Sequence, residues 1–155
     1  MPNEISEKVR DNLFHSFAAV EAAAPAIKAG MIPSLALAEG ETAPSARAAA
    51  IASTLVDLLL DQARSMGAGR RPHGIEAIAA SHRLQGIDGR HYSRFGDSLS
   101  PVLKDAVGPR LPSAVTAAWG DAFWFVIRLV MRSTPRRRSP VEGEAGGSPR
   151  QPAGV

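Results

Sequence analysis

The chain has 155 residues and a mass of 16.3 kDa, with 45% hydrophobic and 21% charged residues, which suits one domain with a buried core and not a pair of cofactor and substrate domains. It contains no cysteine, so a disulfide scaffold, a thiolate-held zinc or iron–sulfur site and thiol catalysis are excluded. The net charge of +3 belongs to the C-terminal end: residues 132–155 carry five arginines against Glu142 and Glu144, while the other 131 residues balance at thirteen acidic and thirteen basic side chains.

A charge-neutral body argues against a nucleic-acid face. Met1 to Arg10 holds Glu4, Glu7, Lys8 and Arg10 in place of the apolar run of a secretory leader, so a soluble, cytoplasmic protein is expected. Ile5, Val9, Leu13, Phe17 and Val20 recur at helical spacing and form the apolar face of a first helix, with Phe14 and Phe17 assigned to the core. A second helical segment runs from Glu21 to about Met31 and is expected to stop near Pro33, because proline lacks the amide that a helix interior needs. Leu35 to Gly40 takes no firm assignment, and Gly40 to Pro44 reads as a connection.

From Ser45 the chain is again helix-forming, with Ala48, Ile51, Leu55 and Leu59 on one face. Gly67, Gly69 and Pro72 bracket a loop. Ile75, Ile78, Ala79 and His82 make a short fourth stripe, and Asp88 is placed to cap the next helix, whose face is Tyr92, Phe95, Leu99, Val102, Leu103 and Ala106. After a turn over Gly108 to Pro112 comes the longest apolar pattern, Val115, Ala118, Trp119, Ala122, Val126 and Val130. Its most apolar stretch, Phe123 to Met131, is interrupted by Arg128 and too short to span a bilayer. The reading is all-α, with five or six helices over residues 1–132 and a disordered tail rich in Pro, Arg and Gly over 133–155.

Among the histidines, His82 shares the face of Ile75, Ile78 and Ala79, where a neutral imidazole is a strong iron ligand or, equally, a helix-end side chain satisfied by a carbonyl. His91 lies about 100° from Tyr92 around the same helix and is expected to be solvated. His15 is placed at a helix edge, and His73 adjoins Arg70 and Arg71. No acidic residues cluster with these histidines at ligand spacing, which argues against zinc. A phosphate loop, a nucleophile motif and a carboxylate pair are all missing, so hydrolase or transferase chemistry ranks last. Arg136, Arg137 and Arg138 can attract phosphate, nucleic acid or an acidic partner by charge alone, as such runs at chain ends generally do.

Three tracts carry a family resemblance: Ile78 to Ile87 with its Ser-His-Arg-Leu-Gln-Gly run, His91-Tyr92-Ser-Arg-Phe95-Gly96, and Ala118-Trp119-Gly120-Asp121-Ala122-Phe123. Together with Lys8 to Glu21 they resemble bacterial globins, especially single-domain and flavohaemoglobin-type globin domains, over about residues 5–32 and 73–132. The resemblance implies a globin-like fold and haem b, with His82 as the proximal iron ligand and Tyr92 hydrogen-bonded to its imidazole. Phe95 and Leu99 would then press on the cofactor, and Ile51 and Leu55 would line the distal pocket.

This chain also departs from the family. Ile32 stands where the family has an oxygen-stabilising tyrosine, Arg136 stands where it has a glutamate completing the proximal network, and the segment from Ala36 to Ser45 is short. The window from Ser45 to Ser53 holds neither the distal glutamine nor the histidine. Two outcomes therefore stand open. One is a haem protein with an apolar distal side that binds or senses O2, NO or CO, as a monomer or homodimer, with a separate electron donor for any turnover. The other is a haem-free globin-like regulatory or interaction module.

Overall fold

Ser6 opens the first helix, its hydroxyl accepting the Val9 amide at 3.2 Å, a capping bond that satisfies one of the donors a helix start leaves unpaired. In the computed structural model, which describes residues 5–133, six helices follow: α1 (Glu7–Ala22), α2 (Ala24–Ala38), α3 (Ala46–Gly67), α4 (Ile75–Gln85), α5 (Gly89–Val107) and α6 (Ser113–Ser133). No strand occurs among the described residues. The architecture is an all-α, globin-like bundle, and the expected tail beyond Ser133 lies outside the described residues.

α1 and α2 meet at 86°. Ala23 closes one and opens the other, and Pro25, at the start of α2, suits a helix's first turn because its missing amide would go unpaired there anyway. Contrary to the sequence expectation, α2 does not stop at Pro33 but continues to Ala38. Pro33 and Ala29, whose carbonyl loses its intrahelical donor, both lie on the exposed face, where water can satisfy that carbonyl. The other face holds the helix on course: Ile27, Met31, Leu35, Ala36 and Ala38 are buried, and Ser34 bonds Ser98 of α5 through their hydroxyls at 2.5 Å.

α2 packs most extensively on α3 and α5, α1 on α3 and α6, and α4 on α6. On α3, Ala48 and Ala52 are fully buried, their small side chains allowing close approach to neighbouring helices. At the α5–α6 crossing Gly96 performs the same service, since a Cβ there would come within 2.6 Å of the Trp124 indole. Trp119, at the centre of the core, donates from Nε1 to the Ser16 hydroxyl at 2.8 Å, so its one polar atom is satisfied. Phe14 is the exception to the expected α1 core: it is 62% exposed, one position round the helix from fully buried Leu13. α6 is long and apolar enough to cross a membrane, but half of its most apolar window is buried against the other helices, which is how a core helix behaves.

Candidate functional site

The helix that carries His82 is framed by two left-handed glycines, Gly74 and Gly86. At Gly86 the positive φ of 73° turns the chain back so that the Ile87 amide reaches the His82 carbonyl at 2.8 Å, a turn that a side chain would strain. Two residues later Asp88 caps α5, as its sequence position implied: its carboxylate accepts the Arg90 amide at 3.0 Å. This tight passage from α4 into α5 sets Tyr92 opposite His82. The Tyr92 hydroxyl and His82 Nδ1 are 2.7 Å apart, with ring centroids separated by 5.8 Å.

Both side chains are buried, His82 at 3% and Tyr92 at 4% exposure. Burial holds the imidazole below its ordinary value of 6.5 and pushes the phenol up to about 12, because an apolar surrounding disfavours either charge. At neutral pH the pair is therefore an uncharged imidazole and an uncharged phenol. Among the described residues the second ring nitrogen, His82 Nε2, has no hydrogen-bond partner. A buried polar atom without a partner is uncommon. In the tautomer where Nδ1–H donates to the Tyr92 oxygen, Nε2 presents a bare lone pair, the form that ligates a metal; where the Tyr92 hydroxyl donates to Nδ1, the ring proton sits on Nε2.

The other expected site residues sit in one continuous apolar cluster. Phe95, fully buried, packs its ring 4.7 Å from that of Phe123, and Leu99 follows one turn further along α5. Ile51 and Leu55, at 2% and 0% exposure, belong to α3. α3 meets the α4 end through side chains: Thr54 Oγ1 donates to Gln85 Oε1 at 3.4 Å, and Arg47 Nη2 donates to the Gly86 carbonyl at 3.4 Å. Ile32 is half-buried at the edge of the same cluster. Arg136 lies outside the described residues.

His91 overturns its expectation. It is fully buried, not solvated: Nε2 lies 2.5 Å from Glu39 Oε2, and Nδ1 accepts the Asp88 amide at 3.0 Å. The rotation of 100° that takes it off the Tyr92 face turns it toward the end of α2, which covers the first turn of α5. Glu39 escaped the sequence reading, and Arg47 figured in it only as the end of Pro44-Ser45-Ala46-Arg47, a remnant of a globin segment, with no contact assigned to it. Their partners are distant in sequence, and only the acceptor–donor complementarity of Glu, Arg and His could have hinted at them. His73 is tied to Asp61 at 3.0 Å and to Ser65 at 3.2 Å, and the buried Gln62 side chain pairs with both its backbone polar groups. It is a loop anchor on α3.

One good axial ligand and an apolar surround are what haem asks of a protein; here His82 is buried with Nε2 unpartnered, and its partner Tyr92 belongs to the apolar cluster that holds Phe95 and Leu99. Among the described residues no three or more His, Asp or Glu side chains are grouped so as to hold a metal ion.

Two flavohemoproteins from Xylella fastidiosa are similar to this chain. The strain 9a5c protein is 32% identical over 73 residues and the Temecula1 protein 30% identical over 73 residues. In both cases the match covers 47% of this chain and 18% of the relative, so the chain matches under a fifth of the length of these relatives. No family model matches the sequence, and no solved structure matches it. The similarity is distant homology to flavohaemoproteins, and the six-helix fold accords with a single globin domain.

Proposed function

We propose that residues 1–132 form a haem-binding globin-like module in which His82 Nε2 is the axial ligand. The observation that carries this reading is the buried imidazole whose Nδ1 is engaged by Tyr92 while Nε2 is left without a partner. Tyr92 holds the ring's orientation, and in the ligating tautomer its oxygen accepts from Nδ1–H and leaves Nε2 bare. Phe95 and Leu99 supply an apolar face on α5 one and two turns beyond Tyr92, and Ile51 and Leu55 supply an apolar wall on α3 that excludes water. Haem b, when bound there, would supply an iron centre able to take a neutral diatomic ligand.

The α3 wall offers no strong hydrogen-bond donor at Ile51 or Leu55. Such a wall suits CO or NO better than the polarised adduct that dioxygen storage stabilises. Reduction of the iron calls on an electron donor outside the described residues. A haem-free module is the second reading, favoured by the close burial of Ile51 and Leu55 among protein atoms. The two readings separate in an absorption spectrum of the purified protein before and after hemin and dithionite. A Soret band that forms with the wild type and is lost in His82→Ala supports the haem reading, and no specific uptake leaves the haem-free module.

A further inference from the structure

The ends of four helices converge on Glu39. It follows α2, and its carboxylate accepts from Arg47 Nε of α3 at 2.7 Å and faces the buried His91 Nε2 of α5 at 2.5 Å. Arg47 also reaches the carbonyl of Gly86, the residue that closes α4. His91 Nδ1 returns the chain of contacts to the Asp88 amide, two residues beyond Gly86. The result is a closed ring through Glu39, Arg47, Gly86, Asp88 and His91.

The protonation pattern of the ring follows from its donors. Since His91 Nδ1 accepts a backbone N–H, the proton of the neutral ring is on Nε2, where it donates to Glu39. The Glu39 carboxylate, held below the ordinary carboxylate range first by the Arg47 hydrogen bond and then by His91, is ionised and fully engaged. Charge-assisted bonds of this kind are about twice as strong as neutral ones, and His91 is completely shielded from water. Glu39 itself is 14% exposed and Arg47 44%. The ring is thus stiff at its buried side and open at its Arg47 side.

What the ring spans gives it a role. The turn from Gly86 to Asp88 is the segment that hangs from the His82 carbonyl, and His91 is the neighbour of Tyr92 in the first turn of α5. Arg47 heads α3, the helix of Ile51 and Leu55. We propose that Glu39, Arg47 and His91 are positioning residues that fix the spacing of the α3 wall from the α4–α5 turn and thereby hold the His82–Tyr92 pair in register. This rests on the haem reading for its functional meaning, while its structural content is the His82–Tyr92 bond itself.

The test uses Glu39→Gln and His91→Gln in the full chain, with Arg64→Gln as a control that breaks an exposed pair with Glu21 away from the ring. In the apoprotein, proton NMR of the shared His82–Tyr92 hydrogen reads the pair without haem. Its exchange with solvent is expected to rise about tenfold in both ring variants, as local opening becomes easier, and to stay unchanged in Arg64→Gln. In hemin titrations the ring variants are expected to lose about tenfold in affinity, the usual cost of disturbing a ligand's supporting contacts. Unchanged exchange and unchanged affinity in both ring variants would overturn the positioning role. Faster exchange with no His82-dependent hemin uptake by the wild type would remove the haem reading and leave the positioning role standing. If a buried variant does not fold, Arg47→Gln, at the open side of the ring, carries the same two readouts with the same criteria.

Discussion

The wall built by α4 and α5 and the wall built by α2 and α3 handle polarity in opposite ways. The first buries two imidazoles and a phenol within a dozen residues, His82, His91 and Tyr92. The second presents Met31, Leu35, Ile51 and Leu55, and its buried polar side chains, Gln62 and Ser65, lie two or more turns further along α3 as anchors for the loop after it. Apolar burial is interchangeable and tolerant, whereas each buried polar atom must meet a partner of defined geometry. Specific chemistry therefore concentrates in the α4–α5 wall, and the α2–α3 wall contributes shape and dryness.

If that contrast holds, truncation should hurt both walls alike, while polar changes should matter at the α4–α5 wall and at the Glu39–Arg47 edge that braces it. Phe95→Ala is expected to cost about 3–5 kcal/mol and Leu55→Ala about 2–5 kcal/mol in chemical denaturation, since each leaves a cavity in a fully packed site. A value under 1 kcal/mol at either would show that its wall is loosely packed. Gly96→Ala forces a methyl against the Trp124 indole and is expected to destabilise by about 1–3 kcal/mol, read in the same experiment. Tyr92→Phe strips the partner from a buried imidazole nitrogen and is expected to cost about 1–3 kcal/mol. Thr54→Val, which removes a long exposed bond to Gln85, should stay within about 0.5 kcal/mol.

The same contrast appears in pH dependence. His82 is depressed below 6.5 in the folded state by burial, so as pH falls below that value the unfolded chain takes up a proton that the folded chain resists. Stability is expected to fall with decreasing pH from about 6.5 downward, and His82→Gln should flatten that part of the curve. The ring at Glu39 acts lower: its carboxylate is held below 4.5, so the stability it provides is complete above that value and is lost as pH falls through the folded-state value. Melting temperatures measured from pH 7.5 to 3 in wild type, His82→Gln and Glu39→Gln resolve the two windows. A single transition insensitive to His82→Gln would contradict the burial of a neutral imidazole.

Local and periodic features were legible in the sequence. The helical stripes and the Asp88 cap each depend on a short stretch of chain; the pairing of His82 with Tyr92 came from the globin resemblance, and the structure places the two 2.7 Å apart. What escaped depends on residues far apart. Pro33 reads as a stop until its exposed placement against a strongly packed opposite face is known. His91 reads as solvated until Glu39, 52 positions away, is seen to cover it. Phe14 reads as core until the rotation that buries Leu13 is fixed. A helical wheel tells which residues share a face, and tertiary packing decides how many faces are covered.

The most direct measurement is an equilibrium hemin titration of wild type beside His82→Ala, repeated with free imidazole added to the variant. One-to-one uptake with a Soret band is expected in the wild type, with loss of that band in His82→Ala and its return when imidazole fills the vacated position. Equal uptake by the two proteins, or no uptake by the wild type, would contradict the assignment of His82 as the haem ligand.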